Sequence, residues 1–357
     1  MNPTPSRRAF SAAGVAAALA LPGAAGAKPS SGPRILRRLR DGPIISPGMD
    51  QRMGANIEGP SLIRAPDWLP GRLGRYYLYF ADHKGDYIRL AYADRLEGPW
   101  RVHAPGSLQL SQSGFPTTPP AIPAGGEARL GASALKGFAP PGTPGVPSML
   151  DDATLPHIAS PDVHVDERGR RLVMYYHGLE SFAVQRTRVA VSPNGVDFQP
   201  FGGAIGGPYM RVFRYGGWVY AMGMPGVFSR SRDGFSGFET GPTLFAADQR
   251  HSALLVRGDV LHVFWTRVGD APERIYVSTV DLRPDWSAWK AGAPVELLRP
   301  EREWEGANLP LVPSYRSAIN MPANQLRDPA IYEERGRTYL VFAVKGEGGL
   351  GIAEIKV

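Results

Sequence analysis

The sequence contains no cysteine, so the fold uses neither disulfide bonds nor thiolate chemistry. Its apolar stretch near the N-terminus, Phe10 to Leu21, is too short to cross a bilayer as a stable helix, and no later stretch is apolar enough. Sustained helical periodicity is also missing. Gly-x-Ser-x-Gly, His-Glu-x-x-His, a phosphate-binding loop and a nucleotide fingerprint do not occur. These absences argue against a disulfide scaffold, a helical membrane protein and several common enzyme classes.

The N-terminal residues have the features of an export signal. Ser6-Arg7-Arg8-Ala9-Phe10 is a twin-arginine motif, and Ala25-Gly26-Ala27 after the short apolar stretch is a small-x-small cleavage site. We therefore expect residues 1–27 to be removed and the mature protein to begin near Lys28, periplasmic or secreted by the twin-arginine route. A Sec signal or an uncleaved anchor is the alternative.

A unit of short strands recurs five times along the rest of the chain. Abundant glycine (43), proline (35) and aromatic residues predict many strands joined by turns. The second strand of each unit is apolar on both faces, as expected where sheets stack on both sides. This pattern predicts an all-β five-bladed β-propeller, a single domain over residues 28–357, rather than a β-sandwich. The units begin at Asn56–Ile63, Ile158–Val165, Gly206–Phe213, Arg250–Leu255 and Leu326–Ile331.

Two segments interrupt the repeat, and the ring needs a closing strand. Residues 103–157 and 285–324 lack the pattern and are interpreted as long insertions. The last unit ends too soon to contain a fourth strand, so we expect the segment from Arg34 to Ile45 to supply it. The net charge is +7, and the basic cluster Arg34 to Arg40 is interpreted as a solvated strand edge rather than a polyanion patch. We expect no nucleic-acid partner and no stable membrane insertion.

Polar side chains stand at the starts of the predicted innermost strands, which converge on the axis of a propeller. Charged groups there cost several kcal/mol unless they are paired or hydrated, so they predict a polar funnel that binds a ligand. Structural ion pairs, turn caps or a central structural cation are the alternatives. Alignment of the five units on their prolines groups Asn56, Glu58, Asp162, His164, Tyr209, Arg211, Arg250, His251, Arg327 and Asp328, and His83 and His177 follow nearby strands.

The starts of the units resemble those of five-bladed glycoside hydrolases of families 43, 32, 68 and 117. Glu58-Gly59-Pro60 is similar to the Glu-x-Pro that carries the general acid in family 43. Arg327-Asp328-Pro329 is similar to the Arg-Asp-Pro of the stabilising aspartate in families 32 and 68, and Ser160-Pro161-Asp162-Val163 resembles family 43 second blades. The blade pattern covers essentially the whole mature chain. The resemblance implies a glycoside hydrolase that requires no cofactor and no metal.

Roles for individual residues follow from this resemblance. It implies Glu58 as proton donor, Asp328 as transition-state stabiliser or base and Asp162 as the remaining carboxylate. Blade three departs from the pattern, because Gly207-Pro208-Tyr209 carries no acid where the third carboxylate is expected. His251 or His164 is the alternative proton carrier, since a family 117-like enzyme is thought to use a histidine. The substrate-binding set is Asn56, His83, His164, His177, Tyr209, Arg211, Arg250, His251 and Arg327.

Several functions remain open at this level. The substrate is expected to be an oligo- or polysaccharide, cleaved from its end, either a furanoside or an anionic or anhydro-sugar glycan. The missing acid in blade three favours a carbohydrate-binding propeller without hydrolysis. A lyase on acidic glycans would use His251 or Tyr209 as base, with an arginine neutralising the uronate. The run Tyr175-Tyr176-His177-Gly178 also resembles the Tyr-His-Gly of family 130 mannoside phosphorylases.

Overall fold

The computed structural model describes residues 32–131 and 137–357, and the export signal predicted for residues 1–27 lies outside this part. Its strands form five antiparallel four-stranded sheets in a ring, so the predicted five-bladed β-propeller is confirmed. None of the helices in the described ranges is long and apolar enough to cross a membrane.

Each blade runs outward from an innermost strand. Strand β1 (Arg34–Arg38) precedes the first blade and belongs to the last one. Blade one comprises β2 (Glu58–Arg64), β3 (Tyr76–Ala81), β4 (Tyr87–Ala93) and β5 (Arg101–Gln109). Blade two comprises β6 (Ile158–Asp166), β7 (Arg171–Ser181), β8 (Val184–Ser192) and β9 (Gln199–Gly206). Blade three comprises β10 (Arg211–Tyr215), β11 (Trp218–Gly223), β12 (Val227–Ser231) and β13 (Glu239–Thr243).

The last two blades differ in how their fourth strand is supplied. Blade four comprises β14 (Gln249–Arg257), β15 (Val260–Arg267), β16 (Ile275–Asp281) and β17 (Val295–Leu298). Blade five comprises β18 (Arg327–Glu334), β19 (Arg337–Ala343), β20 (Leu350–Lys356) and β1. Two short α-helices, α1 (Gly126–Gly131) and α2 (Met149–Thr154), lie between blades one and two. Single 3-10 turns occur at Gln51–Met53, Leu110–Gln112, Trp286–Ala288 and Glu303–Glu305.

Hydrophobic side chains fill the spaces between neighbouring blades. All six residues of β3 are buried, because blades two and five cover the two faces of blade one. Buried apolar clusters lie at each of the five contacts between adjacent blades in the ring. The ring is therefore stabilised by burial between sheets, with every blade contributing to two clusters.

The N-terminal strand closes the ring, as predicted. Strand β1 pairs antiparallel with β20, with Arg34 opposite Lys356 and Ile35 opposite Ile355. Arg37 pairs with Glu354 at 2.9 Å, so part of the basic cluster is neutralised along this strand edge.

The predicted insertions are wrong at their boundaries. The range 103–157 includes most of β5, and the range 285–324 includes β17. The alternation of β5 is hidden because Pro105 and Gly106 lie at a register shift, where Gly106 has a φ of 74°. Strand β17 has four residues, too few to show a period.

If β1 closes the ring, alanine substitutions at two adjacent residues of this strand should change the free energy of unfolding by different amounts. Ile35 packs against the cluster between blades four and five, whereas Leu36 is 49% exposed. Ile35→Ala should lower the free energy of unfolding by about 1–2 kcal/mol, and Leu36→Ala should change it by less than about 0.5 kcal/mol. Urea unfolding of both variants measures this difference, and equal effects would show that β1 does not seal the ring.

Candidate active site

The innermost strands share one backbone feature at the same end of the propeller. In each blade the residue at the start of the strand adopts a left-handed conformation. These residues are Gly59 (φ 58°), Ser160 (48°), Tyr209 (59°), His251 (46°) and Asp328 (48°). In blades one, two, four and five the pairing register shifts at this point. The shift is a β-bulge, a device that redirects a side chain.

The left-handed conformation costs backbone energy at four of the five positions. A left-handed conformation in a residue other than glycine costs on the order of 1 kcal/mol, and such strain concentrates at functional sites. Blade one has glycine there because a Cβ on Gly59 would come within 2.6 Å of Ser160 Cα. The two neighbouring blades therefore approach each other closely beside Glu58.

A cavity of about 380 Å³ lies at this end of the ring. The insertion between blades one and two covers one side of it through Leu130, Phe138 and α2. The segment before blade five contacts that insertion, with Asn320 N donating to Gly145 O at 2.6 Å. The cavity walls from the blades include His83, Ser160, His177, Tyr209, Arg250 and His251.

Glu58 and Asp328 lie behind this wall, and both are fully buried. Ser160 Oγ donates to Glu58 Oε2 at 2.9 Å, and Tyr209 Oη donates to Asp328 Oδ1 at 2.8 Å. His251 Nδ1 lies 3.6 Å from Asp328 Oδ1. Within the described part of the chain, Glu58 Oε1 and Asp328 Oδ2 have no hydrogen-bond partner. Each carboxyl group therefore has one unpaired oxygen, which is buried behind the cavity wall.

The pKa values of both carboxyl groups are raised. Burial, followed by the charges of Asp328 and Glu347, raises the pKa of Glu58 well above its usual value. Burial and then Glu347 raise the pKa of Asp328 to about 6. Raised pKa values of neighbouring buried carboxyl groups are the direction that a general acid requires.

Neutral imidazoles surround the pair. Burial lowers the pKa values of His177 and His251 well below the usual value for histidine. The ring of Tyr209 lies between them, with its centroid 5.8 Å from that of His177 and 5.4 Å from that of His251. At neutral pH these histidines donate or accept hydrogen bonds without adding charge.

A chain of buried ion pairs supports one wall of the cavity. Arg250 Nε donates to Glu273 Oε1 at 2.9 Å, and Arg327 Nε lies 3.1 Å from Glu273 Oε2. Arg327 Nη1 donates to Glu347 Oε1 at 2.7 Å, and the same oxygen lies 3.0 Å from His83 Nδ1. Burial alone would raise the pKa of Glu347, but the charges of His83 and Arg327 lower it below its usual range. The chain thus keeps its carboxylates ionised.

A second ion pair ties the insertion to the ring. Lys84 Nζ lies 2.8 Å from Asp152 Oδ1, and Ser317 Oγ donates to the same oxygen at 2.6 Å. Asp152 belongs to α2, whose N-terminus is capped by Ser148. This contact holds the cover of the cavity against blade one and the segment before blade five.

The structure divides the predicted site residues into three groups. Lining the cavity are His83, His177, Tyr209, Arg250 and His251. Buried behind its wall are Asn56, Glu58, Arg327 and Asp328. Arg211 donates to Ser160 O at 2.9 Å and also lines the second cavity described next. The third group, Asp162 and His164, lines a different cavity, together with residues from the later parts of the innermost strands.

The grouping of Asp162 with the catalytic carboxylates is therefore corrected. Asp162 Oδ2 lies 2.9 Å from His164 Nε2 and accepts from Val212 N at 2.8 Å. Both side chains follow the bulge at Ser160, so they belong to the regular part of β6 and not to its left-handed start. Alignment on prolines was wrong because Pro161 follows the left-handed residue of its blade whereas Pro208 precedes Tyr209.

Several buried residues of the site were not predicted. Glu273 and Glu347 lie in connections between strands, outside the repeated motif. The detectable signal for Glu347 was an acid within a glycine-rich turn, Lys345-Gly346-Glu347-Gly348-Gly349, where Glu347 is 1% exposed. In the described ranges, no group of three or more His, Asp or Glu residues is arranged to hold a metal ion.

Comparison with solved structures shows which proteins share the fold of this chain. No known family model matches the sequence. A GH43_1 enzyme from Xanthomonas citri matches with a TM-score of 0.52 at 11% identity, over 90% of this chain and 89% of that one. A GH43 β-xylosidase/α-arabinofuranosidase from a compost microbial metagenome matches with a TM-score of 0.50 at 12% identity, over 90% and 94%. This likeness confirms the propeller fold that the sequence resemblance implied.

Sequence comparison then identifies a relative. The chain is 35% identical over 327 residues to the uncharacterized protein R118 of Acanthamoeba polyphaga mimivirus, across 84% of this chain and 83% of that protein. The chain belongs to the same family as this viral protein.

The raised pKa of Asp328 predicts a pH dependence of stability. The folded state keeps this proton up to about pH 6, whereas the unfolded state loses it near pH 3.8, so the contribution is present below pH 3.8 and is lost as the pH rises through 6. The unfolding free energy of the wild type minus that of Asp328→Asn should fall by about 2 kcal/mol between pH 4 and pH 7. Urea unfolding across this range measures it.

Asp281→Asn is the matched control. Hydrogen bonds from Arg283 lower the pKa of the exposed Asp281 to about 2, so this group is ionised in both states above pH 5. Its difference curve should be flat from pH 5 to pH 7. A flat curve for Asp328→Asn as well would contradict the raised pKa of Asp328.

Proposed function

We propose that the protein is a glycoside hydrolase that removes a sugar from the end of an anionic oligo- or polysaccharide. The observation that carries the proposal is the buried pair of Glu58 and Asp328 behind the cavity wall, whose pKa values are both raised by burial. Glycoside cleavage needs two such groups, because one carboxyl group must protonate the leaving oxygen while a second group stabilises or attacks the sugar.

The position of the pair supports this chemistry. Glu58 and Asp328 come from adjacent blades of the closed ring and lie directly behind Ser160 and Tyr209, which line the cavity. A buried carboxyl oxygen without a partner costs about 1–3 kcal/mol. A substrate hydroxyl or glycosidic oxygen that reaches Glu58 Oε1 or Asp328 Oδ2 would remove this cost, so the site is complete only with a ligand.

The size of the cavity supports action at a chain end. Its volume of about 380 Å³ is at the lower end of ligand pockets. The insertion covers one side through Phe138 and α2, which leaves no open groove there for a long polysaccharide. A pocket of this kind accepts one or two sugar units.

The charge of the cavity supports an anionic substrate. Of the cationic groups, Arg250 is neutralised by Glu273, and the Asp152 carboxylate is neutralised by Lys84. Arg186 and Arg316 also line the cavity. Arg186 is exposed, and within the described ranges it forms no ion pair with an acidic residue. A uronate or sulfate group would pair with Arg186.

A carbohydrate-binding propeller without hydrolysis is the second candidate. The observation that favours it is the complete burial of both carboxyl groups, with the Tyr209 hydroxyl on Asp328. A lyase would instead use neutral His251 as base. Incubation with a glycan panel, read by mass spectrometry, separates the three: hydrolysis adds water, elimination leaves a double bond, and a lectin leaves the glycan intact.

The proposal includes export. The arginine pair at Arg7 and Arg8 and the small-x-small site at Ala25-Gly26-Ala27 support a periplasmic or secreted enzyme that uses the twin-arginine route. Extracellular and cell-wall glycans would then be within its reach.

Replacing Glu58 tests the proposed acid. Glu58→Gln should lower turnover by a factor of at least roughly 10², because a positioned acid contributes that much. Glu239→Gln, at an exposed residue of blade three, is the control and should retain wild-type turnover. Circular dichroism checks that both variants fold, and a folded Glu58→Gln variant with full turnover would remove Glu58 from the mechanism.

Replacing Arg186 tests the proposed charge of the substrate. Arg186→Ala should raise KM for a uronate-containing glycan by roughly 10-fold, since hydrogen bonds to charged groups contribute about 1.5–3 kcal/mol. KM for the neutral counterpart should not change. Arg168→Ala removes an exposed charge at the opposite end of β6 and β7 and should affect neither. Equal KM changes for both glycans would contradict an anionic substrate.

A further inference from the structure

Tyr209 occupies the place where blade three lacks a carboxyl group. It stands at the same left-handed position as Asp328 and His251, so the fold directs it to the centre of the site as it directs those two residues. A φ of 59° is unfavourable for a bulky aromatic residue, and residues other than glycine adopt this conformation only rarely. The backbone therefore holds a phenol at a strained position beside the carboxyl pair.

Two contacts prepare the hydroxyl of Tyr209 for chemistry. It donates to Asp328 Oδ1 at 2.8 Å, so its proton already points at an ionised carboxylate. The Arg211 guanidinium lies 4.2 Å from the ring centroid. Arg211 Nη2 is buried and has no hydrogen-bond partner in the described ranges. A phenolate would provide a compensating charge for this cation, since the other nitrogens of the Arg211 guanidinium, Nε and Nη1, donate to the backbone carbonyls of Ser252, Ser160 and Pro161.

We infer that Tyr209 is the nucleophile of the proposed glycosidase, which therefore retains the configuration of the sugar. This inference rests on the proposed function. Tyrosine nucleophiles occur among glycosidases that depart from the usual pair of carboxylates. The electrostatic reason applies here: a neutral phenol approaches an anionic sugar without the repulsion that a carboxylate nucleophile would meet.

The first half of the reaction balances within these residues. Tyr209 Oη attacks the anomeric carbon and passes its proton to Asp328 Oδ1. The bond from the anomeric carbon to the leaving oxygen breaks, and that oxygen takes the carboxyl proton of Glu58. The products are an aryl glycoside on Tyr209, a protonated Asp328 and an ionised Glu58, while Arg211 stabilises negative charge as it develops on the phenolic oxygen.

The second half restores the site. A water molecule gives a proton to the Glu58 carboxylate and attacks the anomeric carbon from the side the leaving group vacated. The bond to Tyr209 breaks, and its oxygen recovers the proton from Asp328. Two displacements at one carbon give overall retention, whereas direct attack by water assisted by Asp328 would give inversion.

A purely structural Tyr209, which only holds Asp328 in place, makes different predictions. It would form no covalent intermediate and would not determine the stereochemistry of the product. Tyr175→Phe is the matched control, because this hydroxyl is also buried and donates to a backbone oxygen, Gly234 O at 3.1 Å, outside the site.

The test uses the wild-type protein first. With a glycan from the panel that is cleaved, proton NMR of the first-formed product should show retained configuration. Incubation with 2,4-dinitrophenyl 2-deoxy-2-fluoroglycosides, which slow the second half of the reaction, should add one fluorosugar mass to the peptide that contains Tyr209. Neither measurement depends on a variant that folds.

The variants complete the test. Tyr209→Phe should lose at least roughly 10³ in turnover and should not be labelled, whereas Tyr175→Phe should behave like the wild type. An inverted product, a label on Glu58 or Asp328, or Tyr209→Phe turnover within tenfold of the wild type overturns the inference and leaves the glycosidase proposal standing. If the wild type cleaves no glycan, both proposals are wrong.

Discussion

The candidate site depends on a left-handed residue at the start of every innermost strand. A regular strand would alternate its side chains between the two neighbouring blades, where the clusters are apolar. The left-handed residue breaks this alternation and brings Tyr209, His251 and Asp328, from three different blades, into mutual contact. The backbone strain at these positions is offset by the burial between blades, which fixes the strands on both sides.

Charge in the centre of the ring is stabilised by pairing in a chain. Arg250, Glu273, Arg327 and Glu347 alternate in sign, and each contacts the next. Removal of one member would leave an uncompensated buried charge, which costs more than any exposed ion pair contributes. Burial and the neighbouring carboxylates raise the pKa values of Glu58 and Asp328, which lie beside this chain, whereas the charges of His83 and Arg327 lower that of Glu347 despite its burial.

Sequence reasoning reached the fold because each blade is a local unit whose strands follow one another along the chain. It also singled out Glu58 and Asp328, since a charged residue before or at the bulge of an apolar strand is visible in one segment, and their catalytic role stays a prediction. Asp162 was misassigned because a bulge changes the side of the strand to which the following side chains point. The left-handed φ at Ser160 that marks this bulge cannot be predicted from a serine in the sequence. Glu347 was missed because its partners, Arg327 and His83, meet it only once the ring is closed.

The pairing of β1 with β20 joins the two ends of the chain within one blade. During synthesis β1 emerges without a partner, because β20, the strand with which it pairs, is made last. Until β1 and β20 pair, β20 presents a free edge, the kind of surface to which another chain adds. The pairing of β1 with β20 therefore also protects the protein from self-association. A chain that has lost β1 would keep an unpaired edge strand in blade five, to which another chain could add.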